Sequence, residues 1–396
     1  MAKLYPFRAL RPRPESASNI AAVPYDVVNA DEARALANGN PLSFLRVSRA
    51  ELELPAGTDP YADAVYERAA VNFRKLRDGS MVVEDEPSVY FYRLTMGGHT
   101  QTGLAGCFSI DDYDRDVIKK HERTRPDKED DRTRHMKELG AQTGPVFLTY
   151  RAVQDVDAIA SRVTAGAPLF DFTAADGVRH AIWRVTGADR DALVDAFARI
   201  PALYIADGHH RAASAARARS AGRDPGFLAV AFPSNQVQIL PYNRIVKDLG
   251  GLSADAFLAA VKRSFEVAPG PASPSAHGEI SMFLDGRWYS LKPTEKAPAG
   301  NVIAGLDVSV LQDRLLAPIL KIADVRTDKR IDFVGGARGT AELESLVRSG
   351  KAAVAFSLFP VSVADLMAVS DAGAIMPPKS TWFEPKLRDG LLIHVL

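Results

Sequence analysis

The sequence predicts a mixed α+β protein, and three observations carry that reading. Apolar runs of strand length alternate irregularly with stretches of helical period. Two glycine-bearing turns, Gly97-Gly98 and Asp285-Gly286, each sit between apolar runs, as antiparallel hairpins require. A further apolar run, at residues 203–206, passes through Asp207 and Gly208 into an alanine-rich helical stretch.

Taken in chain order, Asp59-Pro60 reads as an N-cap followed by proline at the first helical position. Val65, Tyr66, Ala69, Ala70, Phe73 and Leu76 then recur at helical spacing up to Gly79. Val89–Leu94 and Leu104–Ile110 form the first hairpin. Residues 111–140 are dense in both charge signs, and Pro126 splits them. From Asp127 a short polar helix fits, with acids first and Lys137 near its end, matching the helix dipole; it reads as a solvated helix and loop. Strands are expected at Val146–Tyr150, Ala181–Val185, Ala202–Ala206, Phe227–Phe232 and Val237–Leu240. Ser253 caps the amphipathic stretch Phe257–Phe265. The Pro-, Gly- and Ser-rich residues 268–275 read as a boundary or an exposed loop. Beyond them, Ser281–Leu284 and Arg287–Leu291 form the second hairpin, and a helix from Asp307 or Ser309 ends or kinks at Pro318. Ile331–Val334 runs into a tight turn at Gly335-Gly336. Ala341–Arg348 is a helix closed by Gly350, and Ala352–Phe359 is a buried strand. The expected organisation is an N-terminal α+β region (1–110), a core (111–266) and a C-terminal α+β region (276–396).

Composition narrows the function. The 396 residues carry 49 Lys+Arg and 49 Asp+Glu, so bulk electrostatic binding of nucleic acid is excluded. The single cysteine, Cys107, rules out a disulfide scaffold and a Cys-rich metal site. Met1–Ser18 has no apolar core and holds Pro6, Pro12 and Pro14, which argues against a targeting helix. The longest apolar stretch, Ala352–Val369, is interrupted by Ser357, Pro360, Ser362 and Asp365 and does not suit a membrane span. A soluble, cytoplasmic protein is expected.

The chemistry concentrates at Asp207-Gly208-His209-His210-Arg211. A helix start offers unpaired N–H groups and a positive dipole end, so it favours anions. Gly208 allows a tight turn and close backbone approach. Arg211 presents a planar fork suited to phosphate oxygens. Asp207 is placed to hold a metal, accept a hydroxyl proton or orient a histidine. The bland alternative is that Asp207 caps the helix and the histidines satisfy nearby backbone. No protein metal site is expected, because adjacent histidines on a turn rarely aim at one ion without a third ligand. Two more segments stand out. His121-Glu122-Arg123-Thr124 offers acid–base chemistry, with Glu122 as base and His121 as its partner or a phosphate contact. In the proline-framed stretch 377–386, Lys379, Ser380, Thr381 and Lys386 suit an anion clamp, and Trp382 or Phe383 a pocket wall.

Over nearly its whole length the chain resembles the bacterial and archaeal family of unknown function numbered 1015. The resemblance rests on residues 23–28, 40–45, 121–124, 144–147, 207–211, 306–311, 332–336 and 376–387. Asp207–Arg211 also resembles the phosphate loop of the ParB/sulfiredoxin-like superfamily, closest to its kinases of free serine. That resemblance implies a ParB/sulfiredoxin-like nucleotide-binding core with additional α+β segments at both ends. It implies ATP or ADP with Mg2+ as cofactor, and a nucleotide and a small molecule as partners. In such kinases an upstream glutamate takes the serine proton. Glu122 and, behind it, Asp26 are the candidates here.

The leading expectation is therefore a nucleotide-dependent kinase of a small hydroxyl metabolite, free L-serine being the most specific guess. Asp207, Glu122, His121 and His209 would be catalytic, and Gly208, His210, Arg211, Lys379, Ser380 and Thr381 would bind phosphate. A second reading is a ParB-like nucleotide switch, for which Arg211, Arg217, Arg219 and Arg223 give one locally basic helix. A third is a metal-assisted hydrolase built on Asp207, His209, His210 and His121.

Overall fold

Nine strands drawn from residues 4–233 pair into one mixed sheet in a computed structural model that describes residues 1–219, 225–295, 298 and 300–396. The mixed α+β class is as expected. The chain divides into two compact units, residues 1–237 with 385–396, and residues 238–384. This division differs from the three expected regions. The border expected at 110/111 falls between strands of one sheet; of residues 268–275, the first two close the strand Phe265–Pro269 and the rest form a loop inside the second unit.

In the first unit the strands are β1 (Leu4–Tyr5), β2 (Val89–Met96), β3 (His99–Ser109), β4 (Ile118–Lys119), β5 (Val146–Tyr150), β6 (Phe170–Thr173), β7 (Arg179–Val185), β8 (Leu203–Asp207) and β9 (Gly226–Pro233). They run in the order β4-β8-β5-β9-β3-β2-β7-β6, with β1 added on β3. Only β4 with β8 and β5 with β9 are parallel. The β2–β3 hairpin turns at Gly97-Gly98, with Met96 opposite His99. Strand β9 is central and buried along its whole length, which is why Phe227–Phe232 is continuously apolar rather than alternating. Phe108, Leu148, Ile205, Phe227 and Ala229 form the core with Phe197, Ala212 and Ala215 from the covering helices.

Three helices position the site: α1 (Asp63–Ser80), α2 (Pro126–Leu139) and α3 (His209–Ala218). The apolar stripe expected for α1 is the buried one, but the helix starts at Asp63 rather than at Asp59-Pro60. Asp59 instead closes a turn, accepting from Tyr61 N at 3.0 Å. Helix α2 carries proline in its first turn, acids at its start, Lys137 in its last turn and left-handed Gly140 as its C-cap. The expectation that it is merely solvated is corrected: Asp131, Thr133, His135 and Met136 are buried. Tyr66 of α1 donates its hydroxyl to Asp131 at 2.8 Å, and His135 Nε2 meets the Val47 carbonyl at 3.0 Å.

The second unit holds a wholly antiparallel six-stranded sheet. Its strands Ile280–Leu284 and Arg287–Pro293 turn at Asp285 and Gly286, both with positive φ (48° and 75°), as a type I′ hairpin demands. Ser253 caps the helix Ala254–Val261, which ends before Phe265 because that residue opens the next strand. Trp382–Glu384 is a short strand pairing with Gln238–Leu240, where a loop is expected. Among the described residues no helix is long and apolar enough to cross a membrane.

Candidate functional site

Strands β4 and β8 lie side by side and parallel, Leu203 opposite Ile118 and Tyr204 opposite Lys119. Each runs into a loop and then a helix, so two helix N-termini open at the same end of one parallel pair. Helix α2 packs along α3, with Ser214 Oγ bonding the Glu129 carbonyl at 3.1 Å. The two starts are tied together. Arg125, the N-cap of α2, donates its N–H to His210 Nε2 at 3.0 Å. A register shift between Ile205 and Asp207 in the pairing with β5 re-aims the end of β8.

Gly208 caps α3 at φ 92°, ψ 31°. A Cβ there would lie 2.9 Å from the Arg211 guanidinium, so the loop requires glycine both for its conformation and for space. Arg211 is buried, and its fork is already engaged. Nη1 donates to the Pro145 carbonyl and Nη2 to Asp207 Oδ2 at 3.2 Å. The expectation that it offers this fork to a phosphate meets a side chain turned into a buried charge network. Asp207, Asp26 and Asp389 all favour its charged form against the cost of burial. Lys386 Nζ, 3.6 Å away, is a second cation on Asp207 Oδ2.

The histidines separate into different roles. His209 is buried; its Nε2 accepts the His121 N–H at 3.4 Å, and its Nδ1 lies 3.9 Å from Glu122 Oε2. The rings of His121 and His209 meet edge to face, with centroids 4.5 Å apart. Burial pushes His121 down to about 4, and burial followed by the neighbouring His121 holds His209 well below its ordinary value. Both are neutral imidazoles at pH 7. One ring nitrogen of His121 faces the backbone of Ile205, and neither makes a well-formed hydrogen bond among the described residues. One donor atom from each of His121, Glu122 and His209 lies within 4.8 Å of the others. Glu122 thus reaches the histidine pair from the loop after β4, a neighbour that the adjacent histidines lack in sequence. This group differs from the residues expected for a metal-assisted hydrolase, since Asp207 and His210 are not part of it. His210 turns to the Arg125 N–H, and Asp207 turns to Arg211 and Lys386.

Lys379, Ser380 and Thr381 belong to the second unit, whereas the Asp207–Arg211 loop belongs to the first. Ser380 Oγ bonds the Pro377 carbonyl at 2.6 Å, and buried Arg244 holds the Lys379 carbonyl at 3.0 Å. Trp382 packs edge-on against Tyr242 and covers Gly335. The helix expected to be basic is neutralised. Arg217 pairs with Asp130 at 2.5 Å and Arg219 with Asp111 at 2.7 Å, while Arg223 lies outside the described residues. Sequence reasoning missed Asp389, a buried carboxyl beside Gly144 that faces Arg211. Its only signal was its place two residues beyond the matched C-terminal stretch.

The family model described as "Protein of unknown function (DUF1015)" matches residues 4–309, and the chain belongs to that family. No curated protein matches it. Among solved structures, it is similar to a free serine kinase variant in complex with AMP, at 13% identity and TM-score 0.38, covering 73% of this chain and 92% of that one. It is also similar to SbnI with a C-terminal truncation from Staphylococcus aureus, at 14% identity and TM-score 0.41, covering 74% and 87%. A conserved hypothetical protein from Pyrococcus furiosus matches at 13% identity and TM-score 0.37, covering 74% and 95%.

Proposed function

We propose that this member of the DUF1015 family is a nucleotide-dependent phosphotransferase acting on a small hydroxyl compound, with free L-serine as the leading acceptor. The observation that carries the reading is the pair of helix N-termini opening from adjacent parallel strands, with half-exposed Glu122 beside them. Such a pair presents backbone N–H groups and two positive dipole ends to one ligand, which suits a di- or triphosphate. The backbone of Gly208 and His209 would receive the phosphates. His210 fixes the second helix start. Arg211 acts behind the loop, holding Asp207 and the Pro145 turn in place. Glu122 takes the proton as the acceptor oxygen attacks the terminal phosphorus and the bond to the bridging oxygen breaks. Magnesium would enter with the nucleotide and neutralise phosphate charge. Asp207 would offer it an oxygen only by loosening from Arg211 and Lys386.

The test is a thermal-shift series with ATP, ADP and AMP, with and without magnesium, joined to phosphoserine detection from L-serine. Ligand binding to the native state raises apparent stability. Glu122→Gln is expected to keep the nucleotide shift and lose turnover by roughly 10²-fold or more. The absence of any shift with every nucleotide, together with no phosphoserine, would refute the proposal.

A further inference from the structure

We infer that His121, Glu122 and His209 form a binding site for one divalent cation of the zinc class. The three donor atoms already lie within 4.8 Å of one another, although His121 and Glu122 follow β4 and His209 opens α3. The pairing of β4 with β8 holds the two loops together. His121 supplies an independent observation. The residue is only 2% exposed; one ring nitrogen faces the Ile205 backbone, and neither makes a well-formed hydrogen bond among the described residues. Leaving a buried ring nitrogen unsatisfied is costly, and a bound ion relieves it while the other nitrogen turns to the backbone.

The donor set selects the ion. Two imidazoles and one carboxylate are the protein ligands that zinc takes when it keeps a further position open for water. Magnesium and calcium call for oxygen ligands. Imidazole favours the later first-row ions. Donors around a tetrahedral zinc stand roughly 3.3 Å apart, so the three atoms must close by up to about 1.5 Å. The Glu122 side chain, 42% exposed, has room to supply that movement. His210 stands outside the group: its Nε2 accepts the Arg125 N–H at 3.0 Å, whereas His209 has only a 3.4 Å contact on Nε2 and turns Nδ1 toward Glu122.

This site goes beyond the phosphotransfer reading. Its ion is held by the protein rather than carried in by a nucleotide, and with the ion bound Glu122 is a ligand rather than the base.

The test uses the full chain, stripped of metal with chelator and titrated with Zn2+ and, separately, Mg2+ by calorimetry. Expected are one equivalent of Zn2+, no comparable Mg2+ binding, and affinity lowered roughly tenfold or more in His121→Ala, Glu122→Gln and His209→Ala. His210→Ala should bind as the parent does. Glu122→Gln is nearly isosteric and half-exposed, so it reports on ligation even where a buried histidine variant unfolds. Cobalt loading of the parent should give visible d–d absorption that Glu122→Gln alters. Less than a tenth of an equivalent of Zn2+, or equal affinity in parent and Glu122→Gln, would overturn the inference. Nucleotide shifts measured on the same stripped protein report on the phosphotransfer reading separately.

Discussion

Replacing Gly208 by alanine tests the loop most directly. At φ 92° an L-residue occupies a left-handed conformation, which costs about 1–2 kcal/mol. The new Cβ would also stand 2.9 Å from Cζ and Nε of Arg211, so the buried guanidinium must move. Moving it weakens its bonds to the Pro145 carbonyl and to Asp207. Hydrogen bonds of charged groups are worth about 1.5–3 kcal/mol each. Losing one of the two brings the expected destabilisation to about 3–5 kcal/mol. Gly208→Asn should recover part of the backbone cost, since asparagine tolerates this region, but none of the contact cost. In an Arg211→Met background the contact cost should vanish, giving a coupling of about 1.5–3 kcal/mol in the double-mutant cycle. Urea denaturation with matched m-values supplies the numbers. A loss under about 1 kcal/mol, or additive behaviour with Arg211→Met, would refute the reasoning that loop and arginine are one unit.

Three further outcomes are expected. Burial raises the Asp389 carboxyl to about 7, against the opposing pull of Arg211. Its protonated native form therefore contributes stability that is present below about pH 4 and lost as pH rises to about 7. Asp389→Asn should flatten the Tm profile over that window, and an unchanged slope would count against the assignment. His180 lies between the Tyr92 hydroxyl and Arg388 Nε, and burial followed by the Arg388 charge lowers it to about 3. The unfolded chain protonates it below about pH 6.5 and the native chain does not, so stability falls as pH drops. His180→Gln should lessen that slope by up to about 1.4 kcal/mol per pH unit, and an identical acid limb in both proteins would argue otherwise. Cys107 is 3% exposed on β3, so a thiol reagent should label it only after unfolding; rapid labelling of the native chain would contradict its burial.

Much of the local structure was legible because it depends on neighbours in sequence. Gly97-Gly98, Asp285-Gly286 and the passage from β8 through Gly208 into α3 all declare themselves within a dozen residues. What was not legible depends on pairing at a distance. His121-Glu122 and His209 were each singled out, yet their meeting requires β4 to lie beside β8, and nothing near residue 118 says so. Arg211 read as an outward fork because its charge is visible in the sequence. The acids that draw it inward come from residues 26 and 389, near opposite ends of the chain. The buried face of α2 was hidden for a related reason. Asp131 and His135 look solvated until Tyr66 and the Val47 carbonyl supply their partners. Asp59-Pro60 misled because a proline-bearing turn and a helix start share the same first residues.

The first unit is made from two separate stretches, with residues 238–384 between them, and this sets an order of events during synthesis. When Gly208 and both histidines have left the ribosome, Lys386, Arg388 and Asp389 have not yet been added. Until they arrive Asp207 lacks the Lys386 ammonium, and Gly144 has no carboxyl packed against it. The second unit is translated in that interval, so the first can close only after residues 238–384 have been added. A ribosome halted near residue 384 would hold a chain whose buried arginine still lacks the Asp389 carboxyl and whose Asp207 still lacks Lys386.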